Sequence, residues 1–189
     1  MTTQHAPPGD QITMAGSLNG LYLLAQAHAL SFTVFIRKDF GSEGIGICGL
    51  GTILMILGWG AYANCLAMFG FFGLWLLAVI VQRIRTFGNW RKGVIIHSRY
   101  NGYPWFSKLL FRRMDELNAK GVDAFLCLAV GGLICQFNQP FGFYVMAGCA
   151  SIMFTEAMMV ESMRRRLRQM RDAEIEQRYL AETYKSGRF

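Results

Sequence analysis

The sequence predicts an all-α integral membrane protein built on two transmembrane helical hairpins, and three observations carry that expectation. The 189-residue chain is 53% apolar and only 16% charged, yet its formal net charge is +7. Its 19 Lys and Arg fall in three blocks, 37–38, 83–120 and 164–188, so that 1–36, 39–82 and 121–163 hold none. Two apolar tracts, 44–81 and 122–160, are 38 and 39 residues long, close to twice the ~20 helical residues that cross a hydrocarbon core of about 30 Å. A water-soluble surface needs charges interspersed through nearly every exposed element, and this chain confines them.

Five regions follow. Residues 1–43 form an N-terminal segment, 44–82 the first hairpin, 83–121 a basic aromatic loop, 122–160 the second hairpin, and 161–189 a basic helical tail. In the first hairpin the glycines and Asn of 58–64 suggest the turn, giving helices over 44–58 and 65–81. In the second, Gln136-Phe137-Asn138-Gln139-Pro140 is the break, because proline cannot donate to the helix ladder and disfavours helical geometry in the residue before it. Helices over 123–135 and 141–160 remain. Within hydrocarbon the backbone must be helical, since unpaired N–H and C=O groups cost several kcal/mol each.

The charge blocks assign the topology. Segment 83–120 carries nine Lys or Arg against Asp115 and Glu116, and the positive-inside rule places it in the cytoplasm with 37–38 and the arginine-rich tail. Both hairpins then enter and leave from that side, giving four spans. Residues 12–36 lack Asp, Glu, Lys and Arg but contain Asn19, Gln26 and His28. They read either as a fifth span or as a helix at the cytoplasmic interface or packed on the bundle, with Arg37 and Lys38 at the headgroups.

Small residues mark where helices can approach. Gly44, Gly51 and Gly58 recur every seven residues on one side of the first helix, and Ala147, Ser151 and Thr155 recur every four on the last, two helix-packing faces. Asp123 and Glu156 fall near the cytoplasmic ends of their helices, and Glu156 is expected to pair with a neighbouring basic block. Cys48, Cys65, Cys127, Cys135 and Cys149 lack the spacing of a metal or disulfide site and read as small apolar packers.

The loop over 94–106 mixes aromatic and basic side chains around Asn101-Gly102, a strong turn signal. Trp90, Arg99, Tyr100, Tyr103 and Trp105 are candidates for contact with lipid headgroups or a partner protein. His97, Ser98 and Arg99 lack a supporting acid or a glycine-rich phosphate loop, so no catalytic residue, cofactor or metal is assigned. A short amphipathic helix over 107–119, capped at Gly121, should lead into the second hairpin. Beyond residue 160 the last helix should run on to about Tyr184, with i,i+4 pairs Glu161–Arg165, Arg168–Asp172, Glu174–Arg178 and Arg178–Glu182. Arg164, Arg168 and Arg171 flank an apolar stripe of Met163, Leu167 and Met170, a headgroup anchor or a docking helix.

Positive-inside topology accounts for the basic surplus, which makes nucleic acid an unneeded partner. The expected partners are the anionic bilayer surface and a membrane or cytosolic protein, with homo-oligomerisation open. The leading functional expectation is a non-catalytic accessory subunit or factor of a larger bacterial inner-membrane assembly, such as a secretion or conjugation system, including entry exclusion. The alternatives are a small oligomeric channel or transporter built along the Gly44, Gly51 and Gly58 face and, third, a membrane-embedded enzyme using His97 and Arg99.

Overall fold

A computed structural model describes residues 14–41, 45–94 and 100–186, with side chains from residue 18 onward. Gly44, His97, Ser98 and Arg99 lie outside the described residues. The named elements are six helices: α1 (Met14–Ile36), α2 (Gly46–Tyr62), α3 (Leu66–Arg91), α4 (Trp105–Leu110), α5 (Glu116–Cys135) and α6 (Gln139–Lys185). α3, α5 and α6 are each long and apolar enough to cross a membrane, and α2 is a shorter apolar helix. Exposed apolar side chains support the same reading: Leu50, Leu54, Leu74, Leu77, Phe125 and Leu133 all face outward on these helices, an arrangement water does not tolerate as a contiguous surface.

The first hairpin turns later than its glycines suggest. α2 continues through Gly58 and Gly60 and ends at Ala63-Asn64-Cys65, where Asn64 takes φ +49°. The Cys65 N–H reaches the Gly60 carbonyl at 2.9 Å and the Asn64 N–H reaches Ala61 at 3.3 Å, the paired bonds of a helix stop around one left-handed residue, which Asn tolerates. The same device ends α3, with Gly93 at φ +71° and Val94 and Gly93 donating to Asn89 and Trp90. α3 thus runs ten residues past the expected end at 81, to the left-handed Gly93. Gly60 stays within the helix, and Met68 crosses it closely: a Cβ there would lie 3.0 Å from the Met68 Cβ.

The second hairpin breaks where expected. Asn138 caps α6 by accepting from the Phe141 N–H at 3.1 Å, with Pro140 in the first turn, where a missing donor costs nothing. The Trp59 indole donates to the Pro140 carbonyl at 2.9 Å, and the Cys65 thiol to Asn138 at 3.3 Å, so both hairpin turns meet at one end of the bundle. Trp59 is therefore a packing residue inside α2 and not part of an interfacial turn.

The helix expected over 107–119 is replaced by two elements. α4 stops at Leu110, residues 111–115 form a turn, and α5 begins at Glu116, seven residues before the expected start. Gly121 then lies inside α5 and caps nothing. The reason lies in side-chain spacing: Glu116, Lys120, Asp123 and Cys127 share one face of a single helix, and the last three are buried.

α1 packs on α6, α2 and α3 through a buried run from Ala27 to Val34. A Cβ on Gly51 would come within 2.9 Å of the Ala27 Cβ, and one on Gly148 within 2.5 Å of the Phe32 ring. These are close backbone approaches that only glycine permits. Trp75, fully buried in α3, donates its indole N–H to the Leu30 carbonyl at 3.3 Å.

Candidate functional site

At the end of the bundle opposite the hairpin turns, α1 gives way to Arg37, whose backbone N–H still bonds to Thr33 at 2.8 Å. Its side chain turns into the bundle and not toward headgroups. The Arg37 Nε donates to Asp123 Oδ2 at 2.8 Å and Nη1 to Glu156 Oε1 at 2.5 Å, with the Arg37 and Asp123 side chains 1% and 0% exposed. A buried charge in low dielectric is sustained only by such paired, hydrogen-bonded contacts. The cluster extends further: the Ser107 hydroxyl donates to Asp123 Oδ1, and Lys120 Nζ lies 2.9 Å from Glu116 and 4.0 Å from Glu156. Two cations and three carboxylates from α5, α6 and the α1 end therefore form one connected group.

Neutral neighbours fix its geometry. Gln82 of α3 donates through one amide nitrogen to the carbonyls of Val34 at 3.0 Å and Arg37 at 2.7 Å, satisfying acceptors that the end of α1 leaves open. The Tyr100 hydroxyl donates to Glu116 at 2.7 Å, and Lys120 stands 5.0 Å from the Tyr100 ring centroid. Burial, then the bond to Glu116 and its charge, push the Tyr100 phenol well above its ordinary range, so it stays a neutral donor.

The loop reaches this cluster by its backbone. Lys38 and Tyr103 form an antiparallel bridge, Lys38 N–H to Tyr103 O at 3.0 Å and Tyr103 N–H to Lys38 O at 2.6 Å, and Gly41 donates to the Tyr100 carbonyl at 2.9 Å. Gly102 permits the approach: it takes φ +83°, and a Cβ would sit 2.9 Å from the Arg37 Cβ and 3.1 Å from the Phe40 ring. Asp39 accepts from Asn89 at 2.9 Å, tying the same strip to the end of α3. The first two basic blocks of the sequence consequently meet at one end of the bundle, and Arg166 of the third lines a cavity there with Tyr100.

The remaining sequence-selected residues divide. Tyr100 and Tyr103 belong to this end, with Lys38 and Lys108 5.8 and 5.6 Å from the Tyr103 ring centroid. Trp105 and Trp90 are exposed, as are Arg164, Arg168 and Arg171 on the tail. On the packing faces, Gly51 meets α1, whereas a Cβ at Gly58 meets nothing within 4 Å in the monomer. Ala147 is exposed, Thr155 is buried, and Ser151 shares a 2.7 Å hydrogen bond with His28. The Ser31 and Tyr144 hydroxyls pair beside it at 2.8 Å. On the tail, Glu161 takes Arg165 at 3.2 Å and also Arg168 at 2.9 Å, so Arg168 turns back by two helical turns in place of the expected bond to Asp172.

The sequence marked Arg37 as a headgroup residue and His28 as a polar position of 12–36, and gave Lys120, Ser107 and Ser31 no role of their own. One signal pointed to the first: the second apolar tract carries just two acids, Asp123 and Glu156, and Arg37 is the basic residue that ends an otherwise charge-free helix. No protein-family model, curated protein or solved structure matches this chain.

Proposed function

We propose that the protein is a non-catalytic multi-pass membrane protein that works through protein contacts, an accessory subunit of a larger bacterial inner-membrane assembly of the secretion or conjugation type. The carrying observation is the tail. α6 leaves the bundle as a continuous helix, and residues 162–182 are exposed along its whole circumference. At 1.5 Å per residue the segment after residue 160 extends roughly 35 Å from the bundle. Met163, Leu167, Met170, Ile175, Tyr179, Leu180 and Tyr184 are exposed on it. Charged pairs alone add only a few tenths of a kcal/mol each to such a helix, so an exposed apolar set of this size on a projecting helix favours a partner that covers it.

In this reading the positive-inside rule puts the Arg37 end, the 100–104 strip and the tail in the cytoplasm. α2, α3, α5 and α6 are the four spans. α1 is a bundle-packed helix and not a fifth span, because its two ends approach the same loop: Asn19 and Tyr22 line one cavity with Tyr100, while Lys38 pairs with Tyr103. The Arg37 cluster then acts as a structural lock that holds the loop and the base of the tail helix in one orientation toward the partner.

Photocrosslinking in cells from Tyr184 and from Tyr103 tests this. A discrete adduct with one protein, lost when residues 167–189 are deleted, is expected. Absence of any protein adduct from either site in functional cells overturns the reading.

A further inference from the structure

Between the first turns of α1 and the stretch of α6 that leaves the bundle lies a half-open cavity of about 440 Å³, within the range of small-molecule sites. Its wall is apolar at Met158, Met159 and Met163, while Tyr22, Tyr100 and Arg166 stand at its lining. Methionine walls adapt to flexible apolar chains. Arg165 and Arg168 both bind Glu161, whereas among the described residues no acid pairs with Arg164 or Arg166, and of these four arginines Arg166 is the one that lines the cavity. Glu116, the carboxylate that Tyr100 binds, is already matched by Lys120 at 2.9 Å and by the Tyr100 hydroxyl. An anion entering the cavity therefore meets an uncommitted guanidinium beside tyrosines and, further in, a sulfur-rich apolar surface.

We propose that this cavity is a binding site for one anionic phospholipid, with its phosphate on Arg166 and the first part of an acyl chain along Met158, Met159 and Met163. The guanidinium offers a planar fork matched to phosphate oxygens, and basic pockets between helices at the cytoplasmic side recognise anionic headgroups in this manner. The proposal rests on the cytoplasmic placement of this face. It is nevertheless separable from the partner reading, because lipid retention is measured without any partner present.

The test is native mass spectrometry of the full-length protein released from nanodiscs of equal phosphatidylglycerol and phosphatidylcholine. The wild type should retain one phosphatidylglycerol about fivefold in preference to phosphatidylcholine, the discrimination worth one arginine near a membrane surface. Arg166→Gln should retain both lipids equally, and Met159→Trp, which fills the cavity, should retain neither. Lys185→Gln, at the far end of the exposed tail, should behave as wild type. Circular dichroism of each variant checks that the helices are intact; should Met159→Trp lose them, Arg166→Gln alone decides. Equal retention by the wild type, or an unchanged preference in Arg166→Gln, overturns the proposal. Displacement of the lipid by millimolar glycerol phosphate also overturns it, since the site would then bind a soluble phosphate and not a membrane lipid.

Discussion

Arg37 and Asp123 stand 86 residues apart in sequence and 2.8 Å apart in space, and neither side chain is exposed beyond 1%. The same guanidinium reaches Glu156 at 2.5 Å, so one cation at the end of α1 fastens both helices of the second hairpin. Removing it strands Asp123 in the bundle and leaves Glu156 only Lys120, at 4.0 Å.

Arg37→Met should accordingly lower stability by about 3–5 kcal/mol, the cost of breaking a buried ion pair from one side. Replacing all three groups together, Arg37→Met with Asp123→Asn and Glu156→Gln, should recover much of that loss, since no uncompensated charge remains. Unfolding in detergent monitored by circular dichroism reads both. A triple variant no more stable than the single one would show that the group acts through something other than charge compensation.

Glycine substitutions should separate backbone strain from crowding. Gly102→Ala suffers both, at φ +83° with Arg37 and Phe40 in the way, and should cost well over the ~1–3 kcal/mol of a strained backbone alone. Gly93→Ala, at φ +71° with open space around it, should cost only about 1 kcal/mol. Gly58→Ala, helical and unopposed in the monomer, should be neutral or stabilising by a few tenths of a kcal/mol. If Gly58→Ala is instead strongly destabilising, a second chain packs on that face. Thermal midpoints of the three variants in one detergent decide the order.

The Tyr100 to Glu116 contact predicts an alkaline dependence. Because the folded phenol is held above its ordinary pKa, its contribution is fully present below about pH 10, the unfolded value. It is lost as pH rises through the folded value, where the unfolded chain gains by ionising first. Wild type should therefore exceed Tyr100→Phe in stability from pH 7 to 9, and the gap should narrow above pH 10. A gap that is flat to pH 11 would mean that folding does not hold the phenol above its unfolded value.

Topology offers the fourth expectation. Fusions of a cytoplasm-active fluorescent reporter and a periplasm-active phosphatase placed before residue 12 and after residue 186 should report the same side. Opposite sides would make α1 a fifth span.

Much of the helical plan is legible in one dimension because it depends on composition and local chemistry. Hydrocarbon-length tracts, the Asn138-Gln139-Pro140 break and the continuation of α6 past residue 160 each follow from neighbouring residues. The turn of the first hairpin was less legible, since several glycines compete and only the left-handed Asn64 stops the helix. The division of 105–120 between α4 and α5 was illegible for a different reason. Leu110, Met114 and Leu117 suggest one amphipathic helix, but burying Lys120 and Asp123 beside Arg37 and Ser107 outweighs that local pattern.

By itself, then, the sequence determined that this chain is helical, apolar enough to span a membrane in several of its helices, and charged in blocks. Those properties are sums over neighbouring residues, and solvation acts on them directly. Only the tertiary structure decided that Arg37, which reads as a headgroup residue, is the buried partner of Asp123 and Glu156, and that the 100–104 strip pairs with Lys38. Such contacts join residues 65 to 119 positions apart, and their energy depends on mutual distance and exclusion of water, neither of which is a property of any local stretch of chain.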